Sequence, residues 1–133
     1  MAKVSIIGGG SWGIALASLL AKNGHEITVW SALEKEIAML REHREHKMLP
    51  GVKLPENVVF TMDEKEAAEG KDLLVMSVAS SYTRETAHRF GPFVAGNQKI
   101  LNVAKGIEAH TQMTLSEIIE QEIPRADVAV MSG

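Results

Sequence analysis

An α/β fold with a doubly wound parallel sheet is predicted by three features of this 133-residue chain. Short β-rich runs alternate with helical stretches along its whole length, the pattern that builds a parallel sheet covered on both faces. The first strand and helix meet at Gly8-Gly9-Gly10-Ser11-Trp12-Gly13, a Gly-x-Gly-x-x-Gly turn. The stretch Asp72 to Val78 reads as one apolar run, as expected of a strand buried on both faces.

Composition bounds the reading. Hydrophobic residues make up 45% of the chain and its formal net charge is -3, which suits one globular domain over 1–133. No basic face advertises nucleic acid. With no cysteine, disulfides and thiolate metal sites are excluded. No apolar run approaches the roughly 20 residues needed to cross a bilayer, and Val4–Ile7 is too short for a signal-peptide core. A cytoplasmic protein with no nucleic-acid partner and no membrane insertion is expected.

The elements follow in order. Val4 to Ile7 is the first strand, and Ser11 to Asn23 the first helix, with Ala15, Leu16, Leu19 and Leu20 at helical spacing and Gly24 closing it. His25 follows in the turn and reads as a solvated loop residue. Ile27 to Trp30 is the second strand. Leu33, Ile37 and Leu40 then mark the apolar face of a helix running to about Arg44. The charged run from Arg41 to Lys47, with His43 and His46, reads as a solvated face rather than a metal site. Leu49-Pro50-Gly51 and Leu54-Pro55 break regular structure.

Val58 to Thr61 is the third strand. Asp63 with Glu66 starts a short helix that Gly70 ends. The apolar run from Asp72 is the fourth strand, and Ser80 or Ser81 caps the helix after it, which ends near Gly91-Pro92. Lys99 to Val103 is the fifth strand. Thr114 and Glu117 form a capping box ahead of Leu115, Ile118 and Ile119, Pro124 stops that helix, and Asp127 to Met131 is the sixth strand. The predicted strand order is 3-2-1-4-5-6. Ending at a strand, the chain reads as the first part of a longer protein.

Strand, glycine turn, helix and second strand form the context a dinucleotide fingerprint requires. Gly8 permits the sharp turn, Gly10 admits a diphosphate to the backbone, and Gly13 lets helix and strand approach. The amides and dipole of the first helical turn then face the phosphates. Ligands of such sheets lie beyond the carboxyl ends of the strands. The loops there are Gly8–Gly13, Ala79–Tyr82, Ala104–Gly106 and Ser132–Gly133. Lys105 is the strong cation expected at that crevice. After the second strand comes Trp30-Ser31-Ala32, with neither the acid that binds a ribose 2′-hydroxyl nor the arginine that accepts a 2′-phosphate. Ser31 suits either group, so NAD and NADP both stay open.

Several segments together carry a resemblance. Gly8 to Gly13, Asn23-Gly24-His25-Glu26 with Trp30, Leu49-Pro50-Gly51, Lys105-Gly106-Ile107-Glu108 and Ser132-Gly133 resemble NAD(P)-dependent glycerol-3-phosphate dehydrogenase of the bacterial type. The resemblance implies a Rossmann-type domain and a helical second domain beyond residue 133. It implies reversible reduction of dihydroxyacetone phosphate to sn-glycerol 3-phosphate, feeding phospholipid synthesis, by a homodimeric enzyme. By position it makes Ser11, Trp12 and Tyr82 cofactor contacts, Lys105 a contact of cofactor and substrate, and Gly133 a substrate contact. It places the proton-donating lysine in the second domain, so that this chain alone binds cofactor without turnover. Ala32 stands where relatives often have a basic or polar cofactor contact, and Val78-Ala79 replaces their Val-Pro. A related reductase of a 3-hydroxy acid or ketopantoate, and a non-catalytic NAD(P)-sensing module, share the sheet and the turn. Lys105-Gly106-Ile107-Glu108 favours the phosphorylated substrate.

Overall fold

Six parallel strands form one sheet in the order β3-β2-β1-β4-β5-β6 in a computed structural model that describes residues 1–131. The strands are β1 Lys3–Ile7, β2 Glu26–Trp30, β3 Val58–Thr61, β4 Leu73–Met76, β5 Lys99–Asn102 and β6 Asp127–Val130. The helices are α1 Ser11–Lys22, α2 Glu34–His43, α3 Glu64–Ala68, α4 Thr83–Phe90 and α5 Leu115–Glu122. The order is the one predicted. Its reversal between β1 and β4 opens a crevice at their carboxyl ends.

Alternation along β1 assigns the two faces. Val4 and Ile6 join Ile14, Ala17, Ile37, Leu40, Val58 and Phe60, so α1 and α2 cover one side. Ile7 joins Trp30, Ala67, Ala87, Phe90 and Ile119, so α3, α4 and α5 cover the other. Ser5 belongs to this second side, where its buried hydroxyl donates to Ala67 O at 2.5 Å. Trp30 and Phe90 are both fully buried, edge to face, with ring centres 4.9 Å apart. Such pairs add to the area term already gained by burying two large rings.

Helix ends mostly follow the sequence. Thr114 and Glu117 form the predicted capping box before α5, and Asp63 accepts from Lys65 and Glu66 N–H before α3. At the end of α1, Asn23 Nδ2 donates to Leu19 O at 3.1 Å and Gly24 N–H to Ala21 O at 3.0 Å. Gly24 takes φ +90°, the left-handed conformation that favours glycine after a helix.

Five expectations need correction. Neither Ser80 nor Ser81 caps α4: Ser80–Tyr82 forms a 3-10 turn and no side chain caps either element. Leu33 is exposed, because it stands at the N-cap before α2 rather than on its inner face. The apolar run around β4 is strand only over Leu73–Met76, since the chain turns toward the crevice from Ser77 onward. His25 is half-buried, and its Nδ1 accepts the Ala2 N–H at 2.9 Å.

The fifth concerns the charged run after α2, which is not a uniformly solvated face. Arg44 turns inward over the Phe60 ring and donates to the carbonyls of Leu54 (3.2 Å), Pro55 (2.5 Å) and Val58 (2.8 Å). His46 is buried, its Nδ1 accepting from Met48 N–H. Both satisfy the backbone of a segment that lacks strand or helix partners of its own.

Candidate functional site

The glycine turn is shaped by what its residues lack. Gly8 has φ +123°, and its N–H donates to Trp30 O at 2.7 Å, tying the turn to the end of β2. A Cβ on Gly8 would stand 3.0 Å from the backbone after β4. One on Gly13 would stand 2.7 Å from both Gly8 O and Ser77 Oγ, so α1 packs too tightly against β1 and β4 for any side chain there. A Cβ on Gly10 would meet nothing within 4 Å. The space over Gly10 is therefore open, while Gly8 and Gly13 are closed by neighbours.

Helix α1 starts directly after this open position. Gly10 is its N-cap, no side chain caps it, and no acidic residue lies in its first turn. Backbone amides with a positive dipole end and no acid in the helix's own first turn suit an anionic diphosphate. Ser11 is half-buried at the first helical position, and Trp12 beside it is exposed.

A groove of about 390 Å³ runs from the turn between the end of β2 and the start of α4. Gly8, Gly9, Gly10, Trp30, Ser31 and Ala32 line one side, and Val78, Ala79, Tyr82 and Thr86 the other. Its walls are largely apolar, as an adenine or nicotinamide ring requires. Tyr82 is exposed along it. A second hollow of about 340 Å³ lies at the opposite, amino-terminal end of the sheet beside Lys3, Glu26 and Asn57, and carries none of the fingerprint residues.

Two predicted residues behave differently from expectation. Ser31 is buried, and its hydroxyl is occupied twice: it donates to Glu36 Oε1 at 2.6 Å and accepts the Leu33 N–H at 3.0 Å. Lys105 is exposed on the loop after β5 and is not among the groove's lining residues. Its loop nevertheless borders the same end of the sheet, since a Cβ on Gly106 would stand 3.1 Å from Ser80 Cβ in the β4–α4 connection. Gly133 lies outside the described residues.

Sequence reasoning missed Glu36. The first turn of α2 carries its carboxylate back over the glycine turn, where a Cβ on Gly9 would lie 2.3 Å from Oε1. Gly9, read as the free position of the fingerprint, thus makes room for a carboxylate. The available signal was an acid at the third position of a helix starting four residues past β2.

The loop carrying Lys105 is anchored from α4. Arg84 makes a two-pronged pair with Glu108, Nε to Oε2 and Nη2 to Oε1, each 2.8 Å, and its Nη1 reaches Glu122 Oε2 at 2.7 Å. The guanidinium holds Glu108 down to about 2, helped by the Thr111 hydroxyl, and the two carboxylates raise Arg84 further above its ordinary range. An antiparallel bridge from Ile107 to Thr114 closes the loop beyond. Among the described residues no cluster of side chains suits a metal ion, and no helix is long and apolar enough to cross a membrane.

Comparison with known proteins places these features in context. Residues 3–133 match the sequence profile described as NAD-dependent glycerol-3-phosphate dehydrogenase N-terminus. A protein of Agathobacter rectalis named glycerol-3-phosphate dehydrogenase (NAD(P)+) is 54% identical over 134 residues, covering 100% of this chain and 40% of the relative. A protein of the same name from Fusobacterium nucleatum is 46% identical over 136 residues, covering 100% of this chain and 41% of its own length. The crystal structure of glycerol-3-phosphate dehydrogenase from Coxiella burnetii superposes with TM-score 0.92 at 27% identity, over 99% of this chain and 41% of that one. A ketopantoate reductase from Ralstonia eutropha superposes with TM-score 0.77 at 21% identity, over 96% and 40%, and shares the fold. The chain thus spans about 40% of the length of the curated relatives it matches.

Proposed function

Since this chain belongs to the NAD-dependent glycerol-3-phosphate dehydrogenase N-terminal family, we propose that it is the dinucleotide-binding part of that oxidoreductase. The observation that carries the proposal is the open space over Gly10 at the uncapped start of α1, continuous with an apolar groove.

The residues fit NAD or NADP. Gly10, Ser11 and Gly13 offer the diphosphate backbone amides, Gly8 shapes the turn with its own N–H held by Trp30 O, and Trp12 borders the diphosphate. Ser31 and Tyr82 flank the groove toward the adenosine and nicotinamide ends. When bound, the dinucleotide supplies the hydride, and the protein supplies placement and electrostatics. The whole enzyme interconverts dihydroxyacetone phosphate and sn-glycerol 3-phosphate, in glycerophospholipid synthesis and in the cytoplasm. Lys105 stands by the substrate carbonyl as a fixed cation and opposes the negative charge that grows on its oxygen. Gly133 touches the substrate. Residues 1–133 make one domain, and a helical second domain supplies the proton-donating lysine and the homodimer contacts.

The decisive test is Lys105→Ala in the longer polypeptide that carries this domain. Its kcat/KM for dihydroxyacetone phosphate should fall by at least about a hundredfold, since each ~1.4 kcal/mol of lost transition-state stabilisation is tenfold. Binding of NADH should change only a few-fold. Unchanged turnover would remove Lys105 from the chemistry and leave the related-reductase and sensing readings in its place.

A further inference from the structure

The preference between the two dinucleotides is not set by the end of β2, where Ser31-Ala32-Leu33 offers neither an acid nor a base. The groove itself carries the missing group. Glu36 lines it together with Gly9, Ser31 and Ala32. Its Oε1 accepts the Ser31 hydroxyl at 2.6 Å and lies 2.3 Å from where a Cβ on Gly9 would stand. Ser31, itself buried, is fixed in turn by the Leu33 N–H, so the carboxylate is oriented by a part-buried chain of hydrogen bonds. Glu36 Oε2 carries no hydrogen bond among the described residues.

We infer that Glu36 receives the adenosine ribose hydroxyls through its carboxylate and turns away a 2′-phosphate, so that this chain selects NAD over NADP. The inference rests on the reading that the groove holds a dinucleotide. A carboxylate accepts two hydroxyl donors well, and repels a phosphate dianion at the same place. Among the described residues, the one cation lining the groove is Arg89, and that guanidinium is already engaged. It lies 5.4 Å over the Trp30 ring and donates to Glu64 Oε2 at 3.1 Å. Glu85 lines the same groove and adds a second negative charge. Ser31 acts as a positioning residue: its hydroxyl, taken up on both sides, holds Glu36 rather than meeting the ribose.

Calorimetric titration of the chain with NADH and with NADPH tests this, on wild type, Glu36→Gln and Gly9→Ala, each checked for its fold by circular dichroism. Wild type should bind NADH at least about tenfold tighter than NADPH, a difference of ~1.4 kcal/mol. Glu36→Gln keeps the shape and removes the charge, and should bring the two constants within about threefold. Gly9→Ala should narrow the ratio too, because its methyl takes the place of Oε1, a flexible side-chain end that can move away. The ratio of the two constants is the readout, so a uniform loss of affinity from the added methyl does not imitate the effect. Equal binding in wild type, or a ratio unchanged in Glu36→Gln, overturns the role of Glu36 and leaves dinucleotide binding intact. Binding of neither nucleotide by wild type overturns both readings.

Discussion

Arg84 on α4 grips Glu108 with two nitrogens at once, each N–O distance 2.8 Å, across 24 residues of sequence. Glu108 is the last residue of Lys105-Gly106-Ile107-Glu108, so the pair ties the post-β5 loop to the helix that borders the groove. Paired geometry of this kind fixes direction as well as distance.

This pair gives the fold an acid limb. A carboxyl held below its ordinary value stabilises the fold above its unfolded value and loses that contribution as pH falls toward its folded value. For Glu108 the window runs from 4.5 down to about 2. Glu117, lowered by the Thr114 N–H, and Glu45, lowered by the Gly51 N–H, act in the same direction. Urea midpoints should be level above about pH 5 and fall steadily below it. Glu108→Gln should start lower at pH 7 and show a shallower acid decline. A limb as steep as that of wild type would remove Glu108 as its source.

Gly10 and Gly13 should separate binding from folding. Gly13→Ala drives a methyl to 2.7 Å from Gly8 O and Ser77 Oγ, and should cost about 1–3 kcal/mol, as overpacking in a tight core does. Gly10→Ala meets no neighbour, and Gly10 has an ordinary φ of -70°. Its thermal midpoint should stay within about 2 °C of wild type, while NADH binding falls at least tenfold, or ~1.4 kcal/mol. Retained NADH affinity in Gly10→Ala would move the diphosphate off this turn.

Trp12 and Trp30 give the site a built-in optical probe. Trp12 is 53% exposed at the start of α1 and Trp30 is 1% exposed in the core. Iodide should therefore quench only part of the emission, and Trp12→Phe should remove that part. Saturating NADH should shield the same component. Equal quenching with and without nucleotide would separate Trp12 from the binding site.

Thr114→Ala removes the hydroxyl that accepts the Glu117 N–H at 3.2 Å. Loss of an N-cap of this type costs about 1 kcal/mol. The thermal midpoint should fall by a few degrees, and Thr114→Ser should recover most of it. A Thr114→Ala midpoint equal to wild type would show that α5 is held by the burial of Leu115, Ile118 and Ile119 alone.

Local signals were the legible ones. The strand order followed from alternation of elements, because a right-handed crossover rule leaves few ways to assemble them. The Thr114–Glu117 box and the turn residues Gly8 and Gly24 were readable because each acts within a few positions of itself. Glu36 was missed because its partners are a residue five positions away and a glycine read as a spacer. Arg84, Glu108 and Glu122 were missed because parallel strands bring distant segments together, and no periodicity marks which charges will meet. Arg44 and His46 sat in a run whose alternating signs imitate a solvated face, while the backbone beneath them needed donors and acceptors. Lys105 was located by its place after β5, but strand position alone did not fix where its side chain reaches.

The end of α1 bears on how this protein ages. An asparagine followed by glycine is prone to cyclise and deamidate, because no side chain shields the attacking nitrogen. Here that nitrogen, Gly24 N, is held by its hydrogen bond to Ala21 O, and the Asn23 amide leaving group is held at Leu19 O. The helix terminus therefore protects the folded chain from succinimide formation at Asn23-Gly24, and molecules that fray or unfold there accumulate isoaspartate first.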